Sequence, residues 1–332
     1  MSDAAVVVAL DVGGTGMKCA LVTPEGSVLH AERHPTGAMR GGAAVVETIL
    51  EVAAGLAEKA AGDGLSPVAA GVAVPGVVDE TAGTAVWAAN IGFRDIPLRD
   101  LLSARLGVPA AVGHDVRAGG VAEARLGAGA GWRHVLFVAV GTGIAAAHVV
   151  GGMAFAGAHG AAGEIGHVVI RPGGPPCGCG QAGCLEAVAS AASVARRYTA
   201  TLDRQEQCSC GYQRPHTRNS GVSAGGTGGV TAAEVAARAR AGEALAVAVW
   251  DETVAALADG LLIAQALYDA EVVVLGGGLA EAGDLLLSPL RDALRARLTF
   301  HREPVLVRAA LGDEAGCLGA GLLAIDAWKA AA

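Results

Sequence analysis

The stretch that most constrains the fold of this chain is residues 163–186, which read GEIGHVVIRPGGPPCGCGQAGCLE. His167 is followed there by Cys177, Cys179 and Cys184. Three thiolates and one imidazole form a complete tetrahedral ligand set for a structural Zn²⁺ ion. The alternative is a set of buried or disulfide-bonded thiols, but disulfide scaffolds are unusual in a large chain with only seven cysteines. We therefore predict a structural zinc ion in this segment, which we call the zinc loop.

Composition limits the classes of protein to which this chain can belong. Its 332 residues suffice for two domains, and 52% of them are hydrophobic, which allows a sizeable core. A net charge of -8 argues against a general nucleic-acid surface, so we expect no nucleic-acid partner. The N-terminal residues show no basic region of a signal peptide, and thiol ligands suit a reducing compartment. We therefore expect a cytoplasmic protein.

Residues 135–163 contain no Asp, Glu, Lys or Arg, and the stretch is long enough to span a bilayer. Glycines and two histidines interrupt it, however, and valine-rich runs separated by glycines are typical of buried strands. We therefore predict strands here and no membrane span.

Two segments share a pattern of strand, glycine turn and strand. The first has apolar runs at residues 6–12 and 17–22, and the second has them at 133–140 and 144–150. Backbone N–H groups in such turns can bind phosphate oxygens, although an ordinary glycine hairpin has the same pattern. The two turns contain Gly13, Gly14, Thr15, Gly141, Thr142 and Gly143. The repeat predicts two similar α/β domains that face each other across a cleft.

The zinc loop carries the pattern E-x-G-H and then C-x-C-G-x-x-G-C-x-E, which resembles the signature of the ROK family. That family comprises bacterial sugar kinases, including glucokinases, and sugar-responsive repressors, and the resemblance extends over nearly the whole chain. It implies an α/β fold of the two-domain actin-like ATPase (ribonuclease H-like) kind, with a cleft between the domains. The domains are then residues 1–115 and 116–312, and a C-terminal helix at residues 313–330 packs back on the first domain.

A polar stretch rich in Gly and Ser at residues 203–229 interrupts the second domain, and we predict a flexible insertion there. Cys208, Cys210 and His216 within it offer ligands for a second metal ion. Free thiols in a loop are the alternative, which we favour.

The resemblance assigns roles to polar residues that follow predicted strands. Asp115 matches the catalytic base of the family, although an Asp between a short strand and a helix is also a common helix cap. Asn90 is a candidate partner for a sugar hydroxyl, and a simple Asn turn is the alternative. His167 would bind zinc through one ring nitrogen and direct the other at the sugar. The implied sugar-binding residues are Gly76, Asn90, His114, Asp115, Glu164, His167 and Glu186.

The first glycine turn resembles the first phosphate loop of actin-like sugar kinases, and this likeness places Asp11 near Mg²⁺ and the transferred phosphate. Lys18 lies on the same strand face as Gly16, where family members often carry lysine, so it is a further candidate phosphate ligand. A third glycine turn resembles the adenosine-binding turn of the family, and it consists of Gly276, Gly277 and Gly278. The expected cofactors are ATP, Mg²⁺ and structural Zn²⁺.

These features predict an ATP-dependent hexose kinase that phosphorylates the 6-hydroxyl of glucose or a close analogue, in a homodimer or homotetramer. His114 stands where the family has Asn, so kanosamine, N-acetylmannosamine and fructose are alternative substrates. A ROK regulator without catalysis is a further alternative. Family repressors carry a helix-turn-helix region ahead of the sugar-binding core, whereas the first predicted strand here begins near residue 6.

Overall fold

The computed structural model describes residues 4–210 and 229–331. The first part of the chain forms one large sheet, one small sheet and two helices. Its elements, in chain order, are β1 (Ala4–Val12), β2 (Gly16–Val22), β3 (Val28–Pro35), α1 (Gly42–Gly62), β4 (Leu65–Val74), β5 (Val77–Asp79), β6 (Thr84–Ala88), β7 (Phe93–Ile96), α2 (Leu98–Leu106) and β8 (Ala110–His114).

The second part of the chain forms another large sheet with a layer of helices, and its final helix returns to the first sheet. Its elements are α3 (Asp115–Leu126), β9 (His134–Val140), β10 (Ile144–Val150), β11 (Met153–Ala154), α4 (Leu185–Ala189), α5 (Ala191–Cys210), α6 (Ala232–Arg240), α7 (Ala244–Tyr268), β12 (Val272–Gly276), α8 (Asp284–Arg295), β13 (Val305–Arg308) and α9 (Ala315–Ala331).

The two large sheets have the same topology. Their strand orders are β3-β2-β1-β4-β8 and β11-β10-β9-β12-β13. In each sheet an antiparallel hairpin, β1–β2 or β9–β10, lies beside two further strands that run parallel to the first strand of the hairpin. The turn of each hairpin is one of the two predicted glycine turns. The repeat that these turns predicted is therefore present in the fold.

Both faces of the first sheet are covered, which explains why its central strands are continuous apolar runs rather than alternating ones. Residues 6–10 of β1 are completely buried. Side chains of α1 and α2 pack on one face of this sheet, and side chains of α3 and α9 pack on the other. In the second part, helices α4 to α8 share one apolar core with β9, β10 and β12.

Helices α3 and α9 carry the chain between the two sheets, and they pack tightly against each other. A Cβ atom on Gly319 of α9 would lie 2.0 Å from the carbonyl oxygen of Ala118 in α3, so only glycine permits this approach. Near the end of α3, the fully buried carboxylate of Glu123 accepts hydrogen bonds from the backbone N–H groups of Ala310 and Leu311, just before α9. These contacts fix α3 and α9, the two helices that connect the sheets, relative to each other.

No helix within residues 4–210 or 229–331 is long and apolar enough to cross a membrane. Residues 135–163 form β9, β10, β11 and a loop, as the glycine-interrupted pattern predicted. One boundary differs, because α5 continues through Cys210, whereas the sequence predicted an insertion from residue 203. Residues 203–207 include the good helix formers Arg, Gln and Glu, which explains the extension. The rest of the insertion and the ligands of the suggested second metal site, Cys208, Cys210 and His216, lie outside the described residues and side chains.

Candidate active site

A cavity of about 500 Å³ lies at the carboxyl ends of β4 and β8, beside the second glycine turn and the zinc loop. This volume is in the range of small-molecule sites, and the ends of parallel strands are where α/β sheets bind ligands. Most of the predicted sugar-binding residues and some of the predicted nucleotide-binding ones line it. These are Gly76, His114, Asp115, Gly141, Gly143, Glu164, His167, Glu186 and Gly277.

Asp115 is the first residue of α3 and directly follows β8. Its Oδ1 atom accepts a 2.7 Å hydrogen bond from the N–H of Val116. The cap position of α3 belongs to His114, which makes no side-chain capping bond, so Asp115 does not have the geometry of a helix cap. Burial raises the pKa of Asp115 to about 6, against the opposing effects of the Val116 N–H and the positive charge of Arg117. The carboxylate is therefore ionised at neutral pH and has a pKa suited to a general base.

His114 is the last residue of β8 and is only 7% exposed. Its Nδ1 atom lies 3.4 Å from Oδ1 of Asp115 and has no hydrogen-bond partner in the described part of the chain. Burial, reinforced by the positive charge of Arg117, lowers the pKa of His114 to about 4. The imidazole is therefore neutral at pH 7, and it can act as either donor or acceptor toward a ligand in the cavity.

Two glutamates frame the zinc loop and both reach the cavity. A Cβ atom on Gly163 would lie 1.9 Å from the carbonyl oxygen of Ala146, so this glycine lets the loop pack directly on β10 and brings Glu164 to the cavity wall. Glu186 lies in the first turn of α4, and its Oε2 atom accepts a 3.0 Å hydrogen bond from the N–H of Ile144. That bond fixes the carboxylate beside the second glycine turn.

The four predicted zinc ligands meet in one cluster. One ligand atom each from His167, Cys177, Cys179 and Cys184 lies within 4.8 Å of the other three. The Nδ1 atom of His167 is 3.6 Å from Sγ of Cys177, and Sγ of Cys179 is 3.7 Å from Sγ of Cys184. Tetrahedral zinc, with Zn–S of about 2.3 Å and Zn–N of about 2.0–2.1 Å, separates its ligand atoms by about 3.5–3.8 Å. The residues present therefore fit a Cys₃His zinc site.

The first glycine turn lies at the end of β1, where Asp11 and Lys18 meet. The Nζ atom of Lys18 is 3.6 Å from Oδ2 of Asp11 and also pairs with Asp313, just before α9. Burial raises the pKa of Asp11 to about 6, although Lys18 lowers it and the negative charge of Asp115 raises it further.

Several predicted residues lie away from this cavity. Asn90 is exposed and follows β6, and its Nδ2 atom would be 3.5 Å from a Cβ atom on Gly14 in the first glycine turn. Gly278 lines a separate cavity of about 210 Å³ with Trp250 and Arg240. The other predicted sugar- and nucleotide-binding residues outside the lining of the 500 Å³ cavity are Asp11, Gly13, Gly14, Thr15, Lys18, Thr142 and Gly276.

Sequence reasoning missed two charged residues beside the site, Glu80 and Arg117. Arg117 is 2% exposed and donates from Nε to Oε1 of Glu80 over 2.8 Å. The same oxygen of Glu80 accepts a 3.2 Å hydrogen bond from the backbone N–H of His114. The signal for Arg117 was its place in DVRAGGVAEARL, where it is the one cation among small residues in the first two turns of α3. Nothing in the sequence indicated its partner.

Comparisons with known proteins identify the family of this chain and its structural relatives. The ROK family model matches residues 7–327. The chain is 34% identical to a glucokinase of Halalkalibacterium halodurans over 326 residues, which cover 95% of this chain and 94% of the relative. Among solved structures, a ROK hexokinase from Thermus thermophilus matches with a TM-score of 0.80 and 35% identity, covering 98% of this chain and 99% of its own. A ROK family glucokinase from Streptomyces griseus, solved in complex with glucose and AMPPNP, matches with a TM-score of 0.77 and 29% identity, covering 97% and 99%.

The fold and the cavity define a two-domain actin-like kinase, and the likeness to these structures confirms that predicted fold. The chain belongs to the ROK family, as its zinc-loop signature predicted. The predicted enzyme class, a sugar kinase, is also confirmed.

Proposed function

We propose that this protein transfers the γ-phosphate of ATP to the 6-hydroxyl of glucose or a close analogue. One observation carries this proposal: Asp115, the carboxylates of Glu164 and Glu186, and the second glycine turn all line a single cavity. A base, an acceptor site and a phosphate site then share one cleft. Phosphoryl transfer requires this arrangement, because its catalysis consists mainly of positioning and charge stabilisation.

In this proposal Asp115 accepts the proton of the attacking hydroxyl. Its pKa of about 6 leaves it ionised at neutral pH and still basic enough to take a proton. Glu164 and Glu186 accept hydrogen bonds from neighbouring hydroxyls, since each carboxylate offers two oxygens. The Nε2 atom of His167 faces the same side as Glu164, at 3.9 Å from its carboxylate. Closure of the two domains over the sugar would exclude water, which competes as an acceptor.

The nucleotide side rests on the three glycine turns and on Asp11. We propose that the first two turns hold the phosphates and that Gly276, Gly277 and Gly278 approach the adenosine. Mg²⁺ would supply neutralisation of the phosphate charge. Asp11 would hold the ion directly or through water, since Mg²⁺ sites in kinases use one or two carboxylates together with phosphate oxygens. Lys18, on β2 next to β1, would pair with Asp11 and bind the phosphates.

We propose that the zinc ion is structural. Four protein ligands leave no coordination position for substrate, so the ion acts through the folding of the loop. Binding Nδ1 of His167 leaves Nε2 free, so the metal also fixes the orientation of a sugar ligand. We further propose, from the family resemblance, a cytoplasmic homodimer or homotetramer. From the same resemblance we propose that Asn90 binds a sugar hydroxyl and that the first domain ends at residue 115.

An alternative substrate is an amino sugar such as kanosamine or N-acetylmannosamine, or else fructose. The observation that favours it is His114, a neutral and buried residue that lines the cavity and whose Nδ1 atom has no hydrogen-bond partner among the described residues. The family Asn in this place contacts hydroxyls near C3 and C4, so a bulkier donor or acceptor suits a modified C3 or C4.

A coupled assay of ADP release across a panel of glucose, kanosamine, N-acetylmannosamine and fructose tests the proposal. NMR of the product identifies the phosphorylated position. We expect glucose or an amino sugar to give the highest kcat/KM, with phosphate on the 6-hydroxyl. Absence of turnover with every sugar in the panel, for zinc-loaded protein with ATP and Mg²⁺, would contradict the proposal.

A further inference from the structure

Arg117 is a nearly fully buried cation two residues after Asp115, and the mechanism above does not use it. Its Nε atom donates to Oε1 of Glu80, and its Nη1 atom donates over 2.8 Å to the carbonyl oxygen of Gly160. Its Nη2 atom is buried and has no hydrogen-bond partner among the described residues. A buried charge requires compensating partners, so Glu80 and Gly160 determine where this side chain lies.

The two partners of Arg117 belong to different parts of the fold. Glu80 directly follows β5 in the small sheet, which belongs to the first part of the chain. Gly160 lies in the loop between β11 and the zinc loop, and Gly160 and Ala161 both line the 500 Å³ cavity. A Cβ atom on Gly160 would lie 2.4 Å from the carbonyl oxygen of Val78 in β5. The two parts therefore touch at the sugar side of the cavity, and Arg117 hydrogen-bonds to both.

Arg117 also affects the proposed base, through geometry and through charge. The Glu80 oxygen that binds Arg117 also accepts the backbone N–H of His114, which immediately precedes Asp115. The positive charge of Arg117 opposes the rise that burial causes in the pKa of Asp115. The other titratable groups around Asp115 and His114 are Asp11 on β1, Glu80 after β5 and Glu164 of the zinc loop.

We propose that Arg117, acting through Glu80 and Gly160, is a positioning residue that holds the sugar side of the cleft together and presents Asp115 to the sugar. This inference rests on the proposed function in one respect, the role of Asp115 as the base. Its alternative is that Arg117 only stabilises the fold.

Helix α3 supplies a matched control in Arg125. The Nε atom of Arg125 donates over 2.8 Å to the carbonyl oxygen of Gly152, and its Nη2 atom pairs with Asp326 at 2.7 Å. Like Arg117, it therefore joins one glycine carbonyl and one carboxylate. Unlike Gly160, however, Gly152 does not line the cavity. Arg125→Met thus removes a similar set of hydrogen bonds without touching the sugar side.

The test compares Arg117→Met, Arg117→Lys and Arg125→Met. Because small misplacements of a reacting group lower rates by up to about 10²-fold, and because the sugar side of the cleft loses a contact, we expect Arg117→Met to lower kcat and to raise the sugar KM by more than about twofold, so that kcat/KM falls by about 10–100-fold. The KM for ATP should change by less than about threefold. The acidic limb of the pH profile of kcat/KM should move to higher pH, because losing the cation raises the pKa of Asp115. Arg117→Lys should return the acidic limb of the pH profile to its original position, because lysine retains the positive charge. Its KM for the sugar should stay raised, because lysine lacks the planar guanidinium group that hydrogen-bonds to Glu80 and Gly160 together.

Arg125→Met should leave the sugar KM, the ATP KM and the acidic limb at their original values, even if the melting temperature falls. Equal changes for Arg117→Met and Arg125→Met would overturn the proposal, as would a sugar KM within about twofold of the original. If Arg117→Met does not fold, Arg117→Lys and Glu80→Gln carry the test, and an unchanged sugar KM in both would refute it. Calorimetry can also measure the affinity for sugar of Asp115→Asn protein with and without Arg117→Lys. This comparison shows the effect of Arg117 on sugar binding without any turnover. A failure of Asp115 as base therefore remains distinguishable from a failure of Arg117 as a positioning residue.

Discussion

The Nε2 atom of His167 lies 3.9 Å from a carboxylate oxygen of Glu164, while the Nδ1 atom of the same ring lies 3.6 Å from Sγ of Cys177. One imidazole therefore joins the metal-ligand cluster to the wall of the cavity. Because a metal ion on Nδ1 fixes the ring, the proposed zinc and the proposed sugar ligands are physically linked.

From this link we predict one zinc ion per chain and a dependence of sugar binding on it. Elemental analysis of protein purified without added metal should give about one equivalent of zinc. Cys177→Ser should lower the zinc content, the folding yield and the affinity for sugar, because structural zinc contributes directly to folding free energy. Cys19→Ala removes a buried thiol outside the cluster and should keep the full zinc content. Less than about half an equivalent of zinc in folded, active protein would refute the site.

A second prediction concerns substrate choice at His114. His114→Asn restores the residue found in the family and removes a bulky imidazole beside Asp115, so glucose turnover should rise relative to the other sugars. The measurement is the ranking of kcat/KM across the hexose panel at pH 7.5, where the imidazole is neutral because burial lowers its pKa to about 4. An unchanged ranking would mean that His114 does not contact the sugar.

A third prediction concerns the stability cost of Asp11. Its side chain is 15% exposed, and burial raises its pKa from 3.8 to about 6. A carboxyl group whose folded pKa is raised favours folding most below its unfolded pKa, and this advantage is lost as the pH rises through the folded pKa. At 1.36 kcal/mol per pKa unit, Asp11→Asn should stabilise the ligand-free protein by about 1–3 kcal/mol at pH 8.

Denaturant unfolding at several pH values measures this effect. The gain from Asp11→Asn should grow between about pH 4 and about pH 6, the unfolded and folded pKa values of the carboxyl group, and then level off. Asp63→Asn removes an exposed carboxylate paired with Lys59 and should change stability little at any of these pH values. A loss of stability in Asp11→Asn at pH 8 would show that the Lys18–Asp11 contact outweighs the burial of the carboxylate.

The parts of the site that the sequence predicted are those in which chemistry is local. The four candidate metal ligands lie within residues 167–184, so residue types and spacing were sufficient to predict that they come together. The repeated glycine turns predicted the matching sheets, because each turn joins adjacent strands. Asp115 was found only through family resemblance, since the sequence alone could not separate a base from a helix cap.

Features that depend on distant partners could not be predicted. The bond between Arg117 and Glu80 joins residues 37 positions apart, and the small sheet that carries Glu80 is made of strands too short to show a clear period. The extension of α5 to Cys210 was missed because polar composition was interpreted as a loop, although several of those residues form helices well. The location of Asn90 near Gly14 also depends on tertiary packing.

The measurement that tests the central claim most directly is the turnover number of Asp115→Asn. Asn keeps the size and hydrogen bonding of the side chain but cannot take the proton, and general-base catalysis typically supplies 10²–10⁴-fold in rate. The zinc content and melting temperature of the variant must first match those of the original protein. Asp326→Asn is the control, because Asp326 pairs with Arg125, which lies on the same helix as Asp115. We predict that kcat falls by at least about 10²-fold while calorimetric affinity for the sugar falls by less than about tenfold. Retention of more than about a tenth of the original kcat would contradict the account and place the base elsewhere.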